Sequence, residues 1–511
     1  MADITKEDIV QQPAADNVNT TNTVDEQRPR KSFFQAALPV FAAGAGLFSD
    51  GYVGNVIGSV TAILSRQYDK TDPAGNPIPG QQVYSDSTPA KVLPAIAFAG
   101  TVVGQLVFGF ASDHWSRSNS LLTSTGILLL FTALATGSYW HGDPVGMFNM
   151  LVAWRFFVGV GIGGEYPAGS VASAEATGEL KSGTRHRWFI LFTNTMIDWG
   201  FVLGAFVPYV TAVATDNYDA MWRASLGVGI LFPAILFVLR LRLKEPEEFT
   251  KESMKRATPY SLVFRYYWFR LTLVSVIWFI YDFTTYAFSI YSPVILANFF
   301  DSSTAPLYII FGWNVVINLF YIPGTIIGAF ASDWLGPKTA LITGLVLQSI
   351  VGFIMAGVYE HLKGSIGGFI VIYGIFQSLG EFGAGNNIGL LASKTCATGV
   401  RGRYYGIAAA IGKIGAFIGT YVFPYVITAA GSDTTKKAQY PFWVSSSLGL
   451  FAASLALLIP LVGQDTIHEE DAKFRAYLES HGWDTSQLGE EPKDETGELG
   501  TSEHVSEKKS L

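Results

Sequence analysis

Seven ionisable side chains sit inside stretches that are otherwise apolar: Asp50, Arg155, Glu165, Asp198, Asp282, Glu381 and Lys413. Charge is costly in such surroundings, so each is a functional candidate by default. Trp278, Asp282 and Tyr286 follow one another at i, i+4 and i+8, which puts an indole, a carboxylate and a phenol on one helix face. Lys413 stands between Gly412 and Gly415, deep in an apolar run where its ammonium cannot easily snorkel to water. A buried ammonium there suits an anionic ligand, or a fixed ion pair with Asp282 or Glu381. Glu165-Tyr166-Pro167 follows a glycine-rich run, and a desolvated carboxylate in such a place is a candidate proton carrier. Asp50 is a second. Arg155 precedes Glu165 by about 15 Å of helix, too far to pair, and reads as a gating or interhelix charge. Asn194 and Asp198, at i and i+4, could reach a common cavity from another helix.

These residues need elements to hold them, and the composition says which kind. Of 511 residues, 49% are hydrophobic and only 15% charged, against about 25% charged in soluble domains. The net charge of −7 argues against a nucleic-acid partner. It also belongs to the ends, because residues 33–463 hold 22 acidic and 25 basic side chains. Apolar segments of roughly 20 residues, enough to span a bilayer, are read near 34–64, 90–112, 120–140, 145–174, 187–213, 222–242, 270–299, 306–332, 338–358, 366–392, 403–429 and 440–463. The expected fold is an all-α membrane protein of twelve transmembrane helices. Arg117, then Lys181, Arg185 and Arg187, then Lys244, Lys251, Lys255, Arg256 and Arg265, then Lys394, Arg401 and Arg403 fall on alternate connections. Both termini are therefore expected in the cytosol. The lone Cys396 allows no intrachain disulfide, and the sequon at Asn19 falls in the cytosolic arm, where it is expected to go unused.

The chain divides into an arm (1–32), a six-helix half (33–242), a cytosolic linker (243–269), a second six-helix half (270–463) and an acidic tail (464–511). An internal echo supports the two halves. Phe110-Ala111-Ser112-Asp113 is followed by Arg117, and Phe330-Ala331-Ser332-Asp333 by Lys338. Parallel halves around a central site are one way to build a secondary transporter. Arm and tail read as solvated segments, disordered by default. No metal cluster or nucleophile triad is apparent in the sequence. The glycine run 159–164 has a dinucleotide-like spacing but lies in an apolar helix with no preceding strand. Neither a cofactor nor an enzyme is expected.

Several stretches resemble a known family. Gly109-Phe-Ala-Ser-Asp113 with Arg117 resembles the loop between helices two and three of the major facilitator superfamily, with a degenerate copy from Gly328 to Lys338. The run from Arg155 to Gly163 is similar to that superfamily's fourth-helix pattern. Gly163-Gly164-Glu165-Tyr166-Pro167, Trp278 to Tyr286 and Gly406 to Gly415 resemble its proton-coupled phosphate symporters. The likeness is closer to the fungal glycerophosphodiester permeases, and includes Phe474 to Trp483. It implies a substrate pocket at Trp278, Asp282 and Tyr286, and acidic positions at Asp50 and Glu165, the latter an aspartate in the phosphate symporters. Asp113, Arg117, Asp333 and Lys338 are expected to clasp helices and influence conformational switching, with Arg155 as a further gating charge. Glu381 is extra to the phosphate pattern, and Lys394 stands where that pattern has a glutamate.

The expectation is a monomeric plasma-membrane symporter, embedded in lipid, that imports glycerophosphodiesters with protons by alternating access. An anion entering a negative-inside cell is opposed by about 2.3 kcal/mol per charge per 100 mV, which accompanying protons offset. Lys413, Tyr286, Trp278, Tyr166 and Asn387 would hold phosphate and glycerol. Asp50 and Glu165 would relay protons, and Asp282 would couple them to occupancy. Choline favours aromatic faces and carboxylates, here Asp198, Glu381 and Asp282, so glycerophosphocholine is preferred to glycerophosphoinositol. The alternatives are an inorganic phosphate:proton symporter and a non-transporting nutrient sensor; tails of 32 and 48 residues are short for the latter.

Overall fold

Backbone polar groups in hydrocarbon have no water to bond, so apolar runs of this length close their hydrogen bonds internally as helices. The computed structural model describes residues 33–489 except 73–76, 255–256, 298–305, 363 and 432. The arm, its Asn19 sequon, Lys255, Arg256 and residues 490–511 lie outside the described residues.

Among the described residues eleven helices are long and apolar enough to cross a membrane by length and composition: Phe33–Tyr68, Ile96–His114, Arg117–Thr136, Pro144–Glu179, Arg185–Ala214, Tyr218–Arg240, Tyr260–Pro293, Leu307–Trp334, Pro337–Leu362, Ile366–Lys394 and Thr398–Thr428. A twelfth long helix, Thr434–Ala456, carries Lys436, Lys437, Pro441 and three consecutive serines, which dilute its apolar character. The seventh helix begins at Tyr260, ten residues before the expected start. The basic residues up to Arg265 made that stretch read as linker, yet Tyr260, Phe264, Trp268 and Phe269 present aromatic rings outward there. After the first helix, Asp69–Thr71 and Pro77–Gln82 pair as a short antiparallel ribbon.

Glycines let the helices approach closely. A side chain at Gly100 or Gly104 of the second helix, or at Gly159 or Gly163 of the fourth, would strike the opposing backbone. Between the halves, Gly406 of the eleventh helix faces the Gln105 carbonyl and Gly109 of the second.

Two helices are interrupted by π turns, a feature that tends to mark functional sites. One spans Glu165–Ser170 in the fourth helix and the other Glu381–Gly385 in the tenth, its counterpart in the second half. Their sequences, Gly164-Glu-Tyr-Pro-Ala-Gly-Ser170 and Gly380-Glu-Phe-Gly-Ala-Gly-Asn386, form an internal repeat that the sequence reading missed.

The tail departs from expectation as well. Thr466–Ser480 is a helix docked on the end of the molecule that carries Asp113. Phe474 and Leu478 are buried with Met254, Tyr267, Cys396 and Tyr404. Asp471 accepts from the backbone N–H and hydroxyl of Thr398 at 2.6 and 2.7 Å, and Arg270 meets Glu470 at 2.7 Å. Its apolar face, Ile467, Phe474 and Leu478, explains why this part of an acidic tail packs instead of staying solvated.

Candidate functional site

A cavity lies between the two halves. Of the expected residues, Tyr166, Asn194, Trp278, Asp282, Tyr286 and Glu381 line it. Tyr281 and Tyr405 also line it and were not foreseen. Trp278, Asp282 and Tyr286 do share one face of the seventh helix, as their spacing predicts. The Trp278 ring meets Tyr405 edge-on at 5.4 Å.

Lys413 and Asp50 form the wall behind these residues. The ammonium lies 3.3 Å from Asp50 and 3.4 Å from Asp282, and donates to the Tyr286 hydroxyl. Tyr166 and Tyr286 each donate to Asp50 Oδ2 at 2.5 Å. The Lys413 nitrogen is also 3.7 Å from the centre of the Tyr286 ring and 4.9 Å from that of Tyr166. One cation thus serves two carboxylates, Asp50 from the first half and Asp282 from the second, and two aromatic faces strengthen its hold. Of the two pairings left open for Lys413, the structure forms the one with Asp282 and adds Asp50.

Glu381 stands elsewhere on the cavity wall. Tyr281 donates to one of its oxygens and Asn194 to the other, both at 2.9 Å. Asp198, fully buried one turn beyond Asn194, lies beside Glu381. The Thr325 hydroxyl is the neutral group beside Asp198, and it also bonds Asn386 and Thr195. Among the described residues no cation pairs with either carboxylate.

Two expected site residues face away from the cavity. Glu165 forms a 2.6 Å ion pair with Arg240 and accepts from Thr125 at 3.0 Å. Arg240 also donates to the carbonyls of Ala42 and Ala43, each at 3.0 Å. Asn387 is enclosed between the eighth and tenth helices, accepting from Ser332 at 2.7 Å and donating to the Gly383 carbonyl at 2.8 Å. Its neighbour Asn386 lines the cavity instead. Arg155 is buried and donates to the Val53 carbonyl at 3.2 Å, joining the fourth helix to the first.

The end bearing the tail helix is closed by charge. Asp113 binds Arg117 at 2.6 Å and Arg403 at 3.0 Å, and accepts the backbone N–H groups of Gly402 and Arg403. Glu175 joins Arg117 at 3.1 Å to Arg401 at 2.9 Å. These bonds tie the second and fourth helices to the eleventh and so hold the halves together. The second copy is looser. Asp333 meets Arg187 at 3.4 Å and Gln464 at 3.0 Å, while Lys338 donates to the Leu457 carbonyl and not to Asp333. At the opposite end a wider vestibule is bordered by Arg66, Tyr84, Lys91, Tyr291 and Tyr425.

Arg240, Glu175 and Arg401 were missed as partners because each lies in the last or first turn of a helix. Only Arg401 was weighed there, as an end marker for orientation.

Comparison with known proteins agrees with this architecture. The model of the family described as "Sugar (and other) transporter" matches residues 38–258 and 243–462. The glycerophosphocholine permease GIT4 of Candida albicans is 45% identical over 91% of this chain and 86% of its own. The major glycerophosphoinositol permease GIT3 of the same organism is 43% identical over 94% of this chain and 89% of its own. Among solved structures, the proton:xylose symporter XylE superposes with a TM-score of 0.69 over 87% of this chain and all of its own; at 16% identity that likeness concerns the fold alone. The chain belongs to the sugar (and other) transporter family of the major facilitator superfamily, whose members are permeases and not enzymes, alongside the fungal glycerophosphodiester permeases.

Proposed function

We propose that this protein is a monomeric proton-coupled symporter that imports glycerophosphodiesters across the plasma membrane by alternating access, with both termini cytosolic. The observation that carries the reading is Lys413, a buried ammonium shared by Asp50 and Asp282 where the two halves meet. A phosphate arriving in the cavity competes with those carboxylates for the same cation. It can lodge there only if negative charge is removed, and protons on Asp50 and Asp282 remove it. Tyr166, Tyr286 and Trp278 then hold the phosphate and glycerol, while Asn194, Asp198 and Glu381 face the headgroup.

Asp113, Arg117 and Glu175 with Arg401 and Arg403 close the cytosolic end in this conformation, and the vestibule is the entrance from outside. Asp333, Lys338 and Arg155 stabilise the helix arrangement that must change during switching. Glu165, neutralised by Arg240, is a framework residue in this arrangement, which leaves the relay to Asp50 and Asp282. The relatives named for glycerophosphocholine and glycerophosphoinositol support the substrate class, and the acidic wall at Glu381 favours the choline ester. That wall is ill suited to inorganic phosphate, a small and more highly charged anion.

The test is uptake of labelled glycerophosphocholine, glycerophosphoinositol and inorganic phosphate into cells in which this chain is the only route, with and without a protonophore. Saturable uptake of the diesters that collapses with the proton gradient is expected. Uptake of inorganic phosphate alone, or uptake indifferent to the protonophore, would overturn the reading.

A further inference from the structure

Four carboxylates border the cavity or back its wall, with a single ammonium among them. Asp50 and Asp282 share Lys413. Among the described residues Asp198 and Glu381 have no cationic counterpart: Glu381 is held by two neutral donors, and Asp198, at 0% exposure, lies against Glu381 and the Thr325 hydroxyl. Burying a carboxylate without an opposite charge costs several kcal/mol. The first half meets the same difficulty at the equivalent position by supplying Arg240 to Glu165. Among the described residues the second half supplies no cation to its glutamate, which is turned to the cavity.

We propose that the transported molecule brings the missing charge, and that Asp198 and Glu381 form the subsite for a quaternary-ammonium headgroup. This rests on the glycerophosphodiester reading above and deepens it. A zwitterionic diester satisfies both poles at once, its phosphate toward Lys413 and its ammonium toward Glu381. Asp282 and Tyr281, which serve the two poles, are adjacent on the seventh helix. The Tyr281, Trp278 and Tyr405 rings line the same cavity and offer the π faces that alkylated ammonium groups prefer. Asp282, counted at first among the carboxylates open to choline, is engaged by Lys413 and leaves the task to the other two. A polyol headgroup forms hydrogen bonds with Asn194 and Glu381 but leaves the acidic pair uncompensated.

Charge alone is varied by an isostere. Unlabelled glycerophosphocholine and the glycerophosphate ester of 3,3-dimethylbutanol, in which carbon replaces the ammonium nitrogen, compete against labelled glycerophosphocholine in cells expressing the wild-type chain. The neutral ester is expected to compete at least about tenfold less well, the worth of one charge-assisted contact. Equal potency overturns the subsite. In Glu381→Gln and Asp198→Asn the gap is expected to narrow to within about threefold, and a gap that stays full in both variants overturns it equally. Should either variant fail to reach the membrane, the wild-type comparison still decides. Absence of any diester uptake by the wild type brings down the transport reading itself; uptake without discrimination between the isosteres brings down only the headgroup subsite.

Discussion

The fourth and tenth helices carry the same π turn opened by the same residue, and the surroundings of the two glutamates differ sharply. Glu165 is met by Arg240 and Thr125, and Arg240 in turn donates to the backbone of the first helix's bend, all within one half. Glu381 is met by Tyr281 of its own half and by Asn194 and Asp198 of the other. One copy is a neutralised rivet inside a bundle, and the other is an uncompensated group at the seam between bundles. In a duplicated protein, then, the repeat identifies the scaffold, and function resides where the copies have diverged.

The comparison can be broken most severely at Arg240. Arg240→Leu leaves Glu165 buried without its cation and should cost about 3–5 kcal/mol, read as loss of folded protein in detergent melts. Unchanged melting would mean that Glu165 does not depend on the arginine. Next comes the cation at the seam: Lys413→Ala and Asp282→Asn should each reduce uptake to background while surface expression persists, and normal uptake would remove that residue from the site. The two glutamates can be set against each other directly by substrate-free thermal unfolding. Glu165→Gln breaks a charged hydrogen bond and should cost about 1.5–3 kcal/mol, whereas Glu381→Gln should stay within about 1 kcal/mol or stabilise, since it relieves an unpaired carboxylate. The reverse order would erase the asymmetry. The smallest effect is expected at the looser clasp: Lys338→Ala should leave uptake within about twofold, as surface polar contacts contribute little, while Arg117→Ala should impair it strongly. Equal losses would make the two clasps equivalent.

Much of this molecule could be read from residue order. Long apolar runs allow little besides helix, and i, i+4, i+8 spacing brought Trp278, Asp282 and Tyr286 to one cavity wall. Lys413 was conspicuous because a lysine in mid-helix has few alternatives to a site. Partner choice was far less legible, since it depends on how helices distant in sequence are rotated against each other. Glu165 and Glu381 look alike in one dimension, and only packing reveals that Arg240 reaches the first alone. Asn386 and Asn387 exchange roles because a π turn alters the phase of the helix just before them. The tail helix was obscured by its acidity, although Phe474 and Leu478 supply the apolar stripe that docks it.

The π turn in the tenth helix also sets a rule for how this segment can vary. Each residue of a helix advances the chain by about 100° around its axis, so removing one residue from 381–385 would rotate everything on one side of the turn by that amount. Glu381 and Asn386 could then no longer share the cavity wall, whatever their neighbours became. Along this stretch the number of residues is itself a determinant of recognition: side chains can be exchanged one at a time, but a single deletion changes the ligand's whole horizon.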